Sequence, residues 1–429
     1  MDAIADPANL RLAFWKAAKS KHAKADCRAF QEKLDENLAT LRDELLSGRV
    51  VIGDYHTFTI YDPKERTICA ASFRERVLHH ALMNVCEPVL ERAAIFDSYA
   101  CRKGMGAQAA VKRAASYARQ HGWFLKMDIR KYFDSIDQSV LRGLLRRKFK
   151  DAGVLDLFDR ILASYQTAPG RGLPIGNLTS QHFANFYLAP LDRFIKEHLQ
   201  RRCYVRYMDD FVVWGETAAE LRAVWLKVEA FLTAELRLEL KASVMLNRTE
   251  RGMDFLGYRL FPDALRLTRR SKRRFVRKFR AYEREGMDGV WTDLQMQQRV
   301  TALIAFTLPC RSRGFRRNVM QRFGAEANGL QPRDPRRQLE QQREQRALCQ
   351  TQQQQPDQRQ QQHWLPGCPD PSSTRESEDS LADPAAVPSL DLMIRGEEAE
   401  QRPGVSSGEQ SAKVPGFPFP TTNSTIAIP

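Results

Sequence analysis

Two adjacent carboxylates, Asp209 and Asp210, stand between the β-forming runs Cys203-Tyr204-Val205 and Phe211-Val212-Val213-Trp214. This pattern predicts a tight hairpin with the acids at its turn. Aspartate is a poor strand residue, and a like-charged pair is unfavourable unless a cation neutralises it. The simplest neutraliser is a divalent metal, and Mg²⁺ prefers hard oxygen ligands. For an isolated Asp-Asp pair, a solvated acidic turn is the alternative. A second apolar run, Trp123 to Ile129, reads as a buried strand ending near Asp128. A carboxylate on one strand beside a carboxylate hairpin is what two-metal phosphoryl transfer requires. One ion lowers the pKa of the attacking hydroxyl and the other steadies the leaving pyrophosphate, with the ions about 3.5–4 Å apart.

The residues around these acids carry a resemblance. Tyr207-Met208-Asp209-Asp210 resembles motif C of the reverse transcriptases, and Met127 through Asp137 resembles their motif A. Gly172 through Gln181 resembles motif B; Leu236 through Lys241 and Phe255-Leu256-Gly257-Tyr258 resemble motifs D and E. Arg66-Thr67-Ile68 through Arg74-Glu75-Arg76-Val77, and Ser98 through Gly104, resemble the two fingers motifs. The set runs in the family's order over about residues 50–265. Two positions narrow the resemblance. Ile175 stands where group II intron and retroviral enzymes carry Gln, and Gln181 where group II enzymes carry Pro. That combination is similar to reverse transcriptases of diversity-generating retroelements, which copy a template RNA with errors opposite adenine. A Gln hydrogen-bonds near the incoming nucleotide and rejects misfits; an aliphatic side chain discriminates less. Simple loop packing by Ile175 is the alternative.

The resemblance implies roles. Asp128 and Asp209 hold two Mg²⁺ ions (Mn²⁺ being the other possibility), Asp210 is the third carboxylate, and the Ile129 carbonyl is a further ligand. A primer 3′-hydroxyl attacks the α-phosphate of a deoxynucleoside triphosphate. Arg102, with Lys103 or Arg76, clamps the triphosphate, since Arg makes bidentate phosphate contacts. Phe133 is the sugar gate, a core Phe being the alternative. Gly176 lets backbone approach the nucleotide, Ser180 and Gln181 begin the helix beneath it, and Lys241 protonates pyrophosphate. Asp134 and Asp137 are read as helix caps rather than ligands. The implied partners are template RNA, a primer–template duplex and a small basic accessory protein.

These residues need elements to position them. Helical spacing predicts helices over 28–47, 73–93, 106–119, 178–199, 217–236 and 290–308. Strands and helices alternate unevenly, which fits an α+β class. The resemblance makes this a right-hand polymerase fold: N-terminal helices and fingers over 1–120, palm with an antiparallel sheet over 121–262, and a short helical thumb over 263–325. Within the thumb, Arg269, Arg270, Lys272, Arg273, Arg274, Arg277 and Lys278 interleave with Phe275 and Phe279, the pattern of a phosphate-tracking face; a solvated basic face is the alternative. From 326 to 429 the composition becomes Gln-, Pro-, Ser- and Glu-rich, too polar to offset ordering entropy, so a disordered tail is expected. Shifting the codons by one nucleotide turns every Gln-Gln junction there into Asn or Ser. Translation running on through a template repeat is the expectation, and an ordinary Gln-rich linker the alternative.

Composition agrees. The chain has 429 residues, 43% of them hydrophobic, and a net charge of +15, which favours a polyanionic partner. Its eight cysteines show no metal-ligand spacing and read as reduced thiols. No signal peptide or membrane span is expected, and the location is expected to be the cytoplasm of a bacterium or of a phage host. A retron or group II intron-type enzyme is the alternative within the family. No His-Asn-His nuclease or RNase H-like carboxylate set follows the basic segment. A non-catalytic RNA-binding descendant is the alternative outside enzymes; it is expected to lose one of the three acids, and none is lost.

Overall fold

The computed structural model describes residues 1–61 and 65–324. The helices are α1 (Asp2–Ala5), α2 (Pro7–Ala18), α3 (Ala25–Glu32), α4 (Leu34–Leu46), α5 (Phe73–Glu91), α6 (Ala107–Gln120), α7 (Tyr132–Ser135), α8 (Gln138–Lys148), α9 (Ala152–Ala163), α10 (Leu178–Tyr187), α11 (Ala189–Arg193), α12 (Ala218–Leu236), α13 (Arg269–Met287), α14 (Asp293–Ala305) and α15 (Arg313–Phe323). The strands are β1 (Tyr55–Ile60), β2 (Arg66–Ala71), β3 (Trp123–Asp128), β4 (Tyr204–Tyr207), β5 (Asp210–Gly215), β6 (Met245–Arg248), β7 (Met253–Phe255), β8 (Tyr258–Leu260) and β9 (Leu265–Leu267). This mixture is the expected α+β class. The tail from 326 onward, with its disorder and read-through expectations, lies outside the described residues.

Strands β4-β5-β3-β6 form one antiparallel sheet in that order. Most of β4 and β5, and Phe124, Leu125 and Met127 of β3, are buried because both faces of the sheet are covered. Leu125, Met127, Phe211 and Val213 enter one core with Leu221, Val224, Val228 and Leu232 of α12. Phe124, Val205, Val212 and Trp214 enter another with Val111, Ala114 and Tyr117 of α6. A sheet clamped this way fixes the register on which the acids depend. The hairpin β1-β2 and the sheet β7-β8-β9 are separate and also antiparallel. After β9, Thr268 caps α13, and Phe275 and Phe279 turn inward against Val300 and Val319.

Two expected helices are broken. The span 28–47 divides into α3 and α4 at Lys33, whose backbone (φ −119°, ψ 45°) leaves the helical region. The span 178–199 divides at Leu188, before Pro190, and continues as α11 and a π-turn over Phe194–His198. Proline has no N–H to donate back to the preceding turn, which accounts for the break.

Candidate active site

Tyr207 pairs with Asp210 across the β4–β5 hairpin, leaving Met208 and Asp209 as a two-residue turn. Met208 takes φ +57°, a left-handed conformation that a side-chain-bearing residue adopts at a cost. Asp128, at the end of β3, lies directly opposite Asp210 in the ladder. Thus the sheet register brings Asp128, Asp209 and Asp210 to one end of adjacent strands. Strand alternation places Lys126 on the same face as Asp128 and Asp210.

Both lysines of the neighbourhood close on the acids. Lys126 Nζ lies 3.0 Å from Asp210 Oδ2, and Lys241 Nζ lies 2.5 Å from Asp128 Oδ1. The Lys241 N–H also donates to the Asp128 carbonyl (2.8 Å), part of an antiparallel bridge between Ile129 and Leu240. That bridge is made by Arg130 N–H to Glu239 O and Lys241 N–H to Asp128 O, so the Ile129 carbonyl is not used in it. Among the described residues, no three His, Cys, Asp or Glu side chains converge as a metal-ligating group. The acids share one end of the sheet, but each outer carboxylate is held by its own lysine.

Burial and mutual repulsion shape the electrostatics of the acids. Burial, then the charge of Asp128, pushes the Asp209 carboxyl up to about 6. Burial also raises Asp210, with Lys126 opposing it, and Asp210 Oδ1 is buried without a hydrogen-bond partner among the described residues. An all-oxygen set with surplus negative charge and an orphaned oxygen fits a hard divalent cation. Asp137, by contrast, caps α8, accepting from the Ser139 and Val140 N–H groups (2.9 and 3.1 Å) and pairing with Arg237 at 2.8 Å. Asp134 lies in the first turn of α7.

The residues assigned to nucleotide contact fall into distinct surroundings. Phe133 is half-buried at the edge of the main core, and its carbonyl accepts from Leu173 N–H at 2.9 Å. Ile175 is half-buried, and its carbonyl accepts from Cys69 N–H of β2 (2.8 Å). Gly176 has φ +121°, and an added Cβ would stand 2.8 Å from Ile68 Cγ2. Its missing side chain therefore lets this loop approach β2. Ser180 is buried in the first turn of α10, and Gln181 is exposed, 3.8 Å from Cys101 Sγ. Lys103 is exposed, and Arg76 is half-buried on α5 near Lys21, whose pKa it helps to lower after burial. Arg102 is partly engaged within the chain. Its guanidinium faces inward, donating to the Ile95 and Ser98 carbonyls (2.7 and 2.6 Å) and pairing with Glu91 at 3.3 Å. These contacts brace the 95–102 segment.

Residues 62–260 match the family described as "Reverse transcriptase (RNA-dependent DNA polymerase)". The chain carries a reverse transcriptase domain. It is 24% identical over 278 residues to Protein YkfC of Escherichia coli, covering 54% of this chain and 72% of that one. It is 27% identical over 138 residues to the group II intron-encoded protein LtrA of Lactococcus lactis, covering 31% of this chain and 23% of LtrA. It is 24% identical over 142 residues to a putative COX1/OXI3 intron 2 protein of Saccharomyces cerevisiae, covering 32% and 17%. The match thus spans less than a quarter of these two intron relatives. Among solved structures, a Candida albicans telomerase complexed with a telomeric RNA fragment aligns with TM-score 0.42 and 12% identity, over 69% of this chain and 61% of that one.

Beyond the motifs, the reverse transcriptase domain uses residues that the sequence did not single out. Gln138 Nε2 bonds the Leu162, Tyr165 and Gly172 carbonyls, fixing the entry to the Gly172–Gln181 loop. Lys126 also donates to the Asp254 carbonyl (2.8 Å), tying the acids to β7. Following the domain, α13 exposes Arg269, Arg270, Lys272, Arg273, Arg274 and Arg277, with Lys278 half-buried. A groove along it is lined by Lys272, Arg273, Arg277, Arg280 and Arg284. Among the described residues, no helix is long and apolar enough to cross a membrane.

Proposed function

We propose that this chain copies RNA into DNA, joining deoxynucleotides to a primer 3′-hydroxyl with release of pyrophosphate. The observation that carries this reading is the register of Asp128 against Asp210, with Asp209 in the intervening turn, inside a reverse transcriptase domain. In this reading residues 1–120 contain the fingers, 121–262 the palm and 263–325 the thumb. Asp128, Asp209 and the Ile129 carbonyl hold divalent metal, Mg²⁺ or Mn²⁺, with Asp210 completing the charge. Bound there, the metal supplies neutralisation of the triphosphate and a lowered pKa for the primer hydroxyl.

The protein's own groups position the rest. The hydroxyl gives its proton to solvent as its oxygen bonds to the α-phosphorus and the α–β bridging oxygen leaves on pyrophosphate. Lys241 Nζ, beside Asp128, is the proton donor to that leaving oxygen. Phe133 closes the space where a ribose 2′-hydroxyl would lie. Arg102, with exposed Lys103 or half-buried Arg76, clamps the triphosphate. The Ser180–Gln181 turn supports the base, and the α13 cations hold template–primer phosphates without reading sequence.

Ile175 and Gln181 further support a mutagenic enzyme of a diversity-generating retroelement, working with a small basic accessory protein. The intron-encoded relatives favour a second reading, a group II intron-type enzyme. Primer extension on an RNA template with Mg²⁺ tests both. Asp209→Ala is expected to lower incorporation by roughly 100-fold or more; equal incorporation by the two proteins refutes the site. Sequenced cDNA with errors concentrated opposite adenine supports the retroelement class, and uniform fidelity supports the intron class.

A further inference from the structure

Arg206 is a fully buried cation that the chemistry above does not use. It is 0% exposed, as is its partner Asp192 on α11. The pair is bidentate: Nε to Oδ1 at 2.7 Å and Nη2 to Oδ2 at 2.6 Å. Tyr204 O–H donates to the same Asp192 Oδ1 at 2.7 Å. The remaining guanidinium hydrogens reach Asn185 Oδ1 (2.8 Å), the Asn185 carbonyl (3.2 Å) and the Met208 carbonyl (3.1 Å). The Arg206 backbone is also occupied, its N–H donating to Asp97 O (2.9 Å) and its carbonyl accepting from Tyr99 N–H (3.0 Å).

Stability alone is a weak account of such a pair. Desolvating two charges costs several kcal/mol, and apolar replacements of buried pairs are often neutral or stabilising. Among the described residues, this side chain spans Asp192 on the helical layer and the Met208 carbonyl in the turn. Met208 is the residue with φ +57°, one position before Asp209. Its left-handed backbone persists only where the surroundings over-determine it. The planar fork of Arg can satisfy both sides at once; the point charge of Lys cannot.

We propose that Arg206, locked by Asp192, is a positioning residue that holds the strained Met208 peptide and so aims Asp209 at the reacting phosphate. This rests on the proposed polymerase reading. The anchor belongs to α10, α11 and the 97–99 segment, so the orientation of the turn is set by the helical layer rather than by the hairpin itself.

The test is a double-mutant cycle in the full-length chain, read by single-nucleotide incorporation on an RNA template and by thermal melting. Asp192→Leu with Arg206→Met replaces the pair by apolar volume and leaves no orphaned charge. Its incorporation rate should fall on the order of 100-fold, as expected for a misplaced catalytic group, with the nucleotide KM changing far less. Met208→Gly removes the left-handed penalty. Added to the apolar pair it should recover a large part of the lost rate, while alone it gives no gain. A folded apolar pair with wild-type rate overturns the proposal, as does a loss that Met208→Gly leaves untouched. If the apolar pair does not fold, Arg206→Lys, which keeps the charge against Asp192, carries the same comparison. Failure of both to fold assigns Arg206 to stability alone and also overturns it. Asp209→Ala in parallel separates the two claims: if it is active the polymerase site is wrong, and if only the Arg206 variants are normal the positioning role is wrong.

Discussion

Asp209 carries an energetic signature that can be read without catalysis. Its carboxyl is raised from 3.8 to about 6, first by burial and then by Asp128. Between those values the folded chain binds more protons than the unfolded chain, so stability falls as pH rises through the window. The penalty is fully present above about 6. Asp209→Asn removes the titrating charge. In chelator, the variant should melt higher than wild type above pH about 6, by a few degrees, roughly, with the gap closing below the unfolded value. Added divalent metal should raise the wild type and not the variant. Equal melting across the whole range would mean that Asp209 is not held in surplus negative charge. The three acids were legible because they sit inside long β-forming runs, where an acid has no structural reason to be. Lys126 offered the same signal, a lysine in an apolar strand two residues from Asp128. Arg206 offered none, since its partners Asp192 and Asn185 lie on helices that only the fold brings alongside.

At the level of elements, the loop from Gly172 to Asn177 is held between two structures. Gln138 bonds the Gly172 carbonyl at one end, and Cys69 N–H of β2 bonds the Ile175 carbonyl at the other. Gly176 closes that second contact only because it lacks a side chain and tolerates φ +121°. Gly176→Ala should force the loop off β2, break the Cys69 bond and cost about 1–3 kcal/mol locally. The expected result is a higher nucleotide KM and faster hydrogen exchange at the Cys69 amide. Unchanged exchange there would show that the loop absorbs the methyl without leaving β2. The motif revealed that a glycine is required, and the fold adds a reason the sequence did not show: close approach to β2. Element boundaries were legible where caps or periodicity were strong, as at Thr217 before α12. The 178–199 helix was misread because its apolar spacing continues through Pro190, and periodicity does not register a missing donor.

Across the molecule, the charge of +15 needs a place to act, and α13 is the strongest candidate surface. Phe275 and Phe279 face Val300 and Val319, so the helix is anchored by its apolar side while Arg270, Lys272 and Arg273 remain exposed. Substituting these three by Gln preserves helix propensity and leaves the small core intact, so melting should hardly change. Each cation that neutralises a phosphate contributes about 0.7–0.9 to the slope of log affinity against log salt. The triple variant should therefore bind an RNA–DNA primer–template duplex more weakly at low salt, with the slope reduced by about 2–3 and the same loss for unrelated sequences. Sequence-independent loss is the distinguishing feature, because phosphate contacts position a duplex and carry no base readout. Filter binding over a salt series measures both quantities. A slope equal to that of wild type would place the duplex away from α13 and leave this helix as a solvated face, even with the carboxylate site intact.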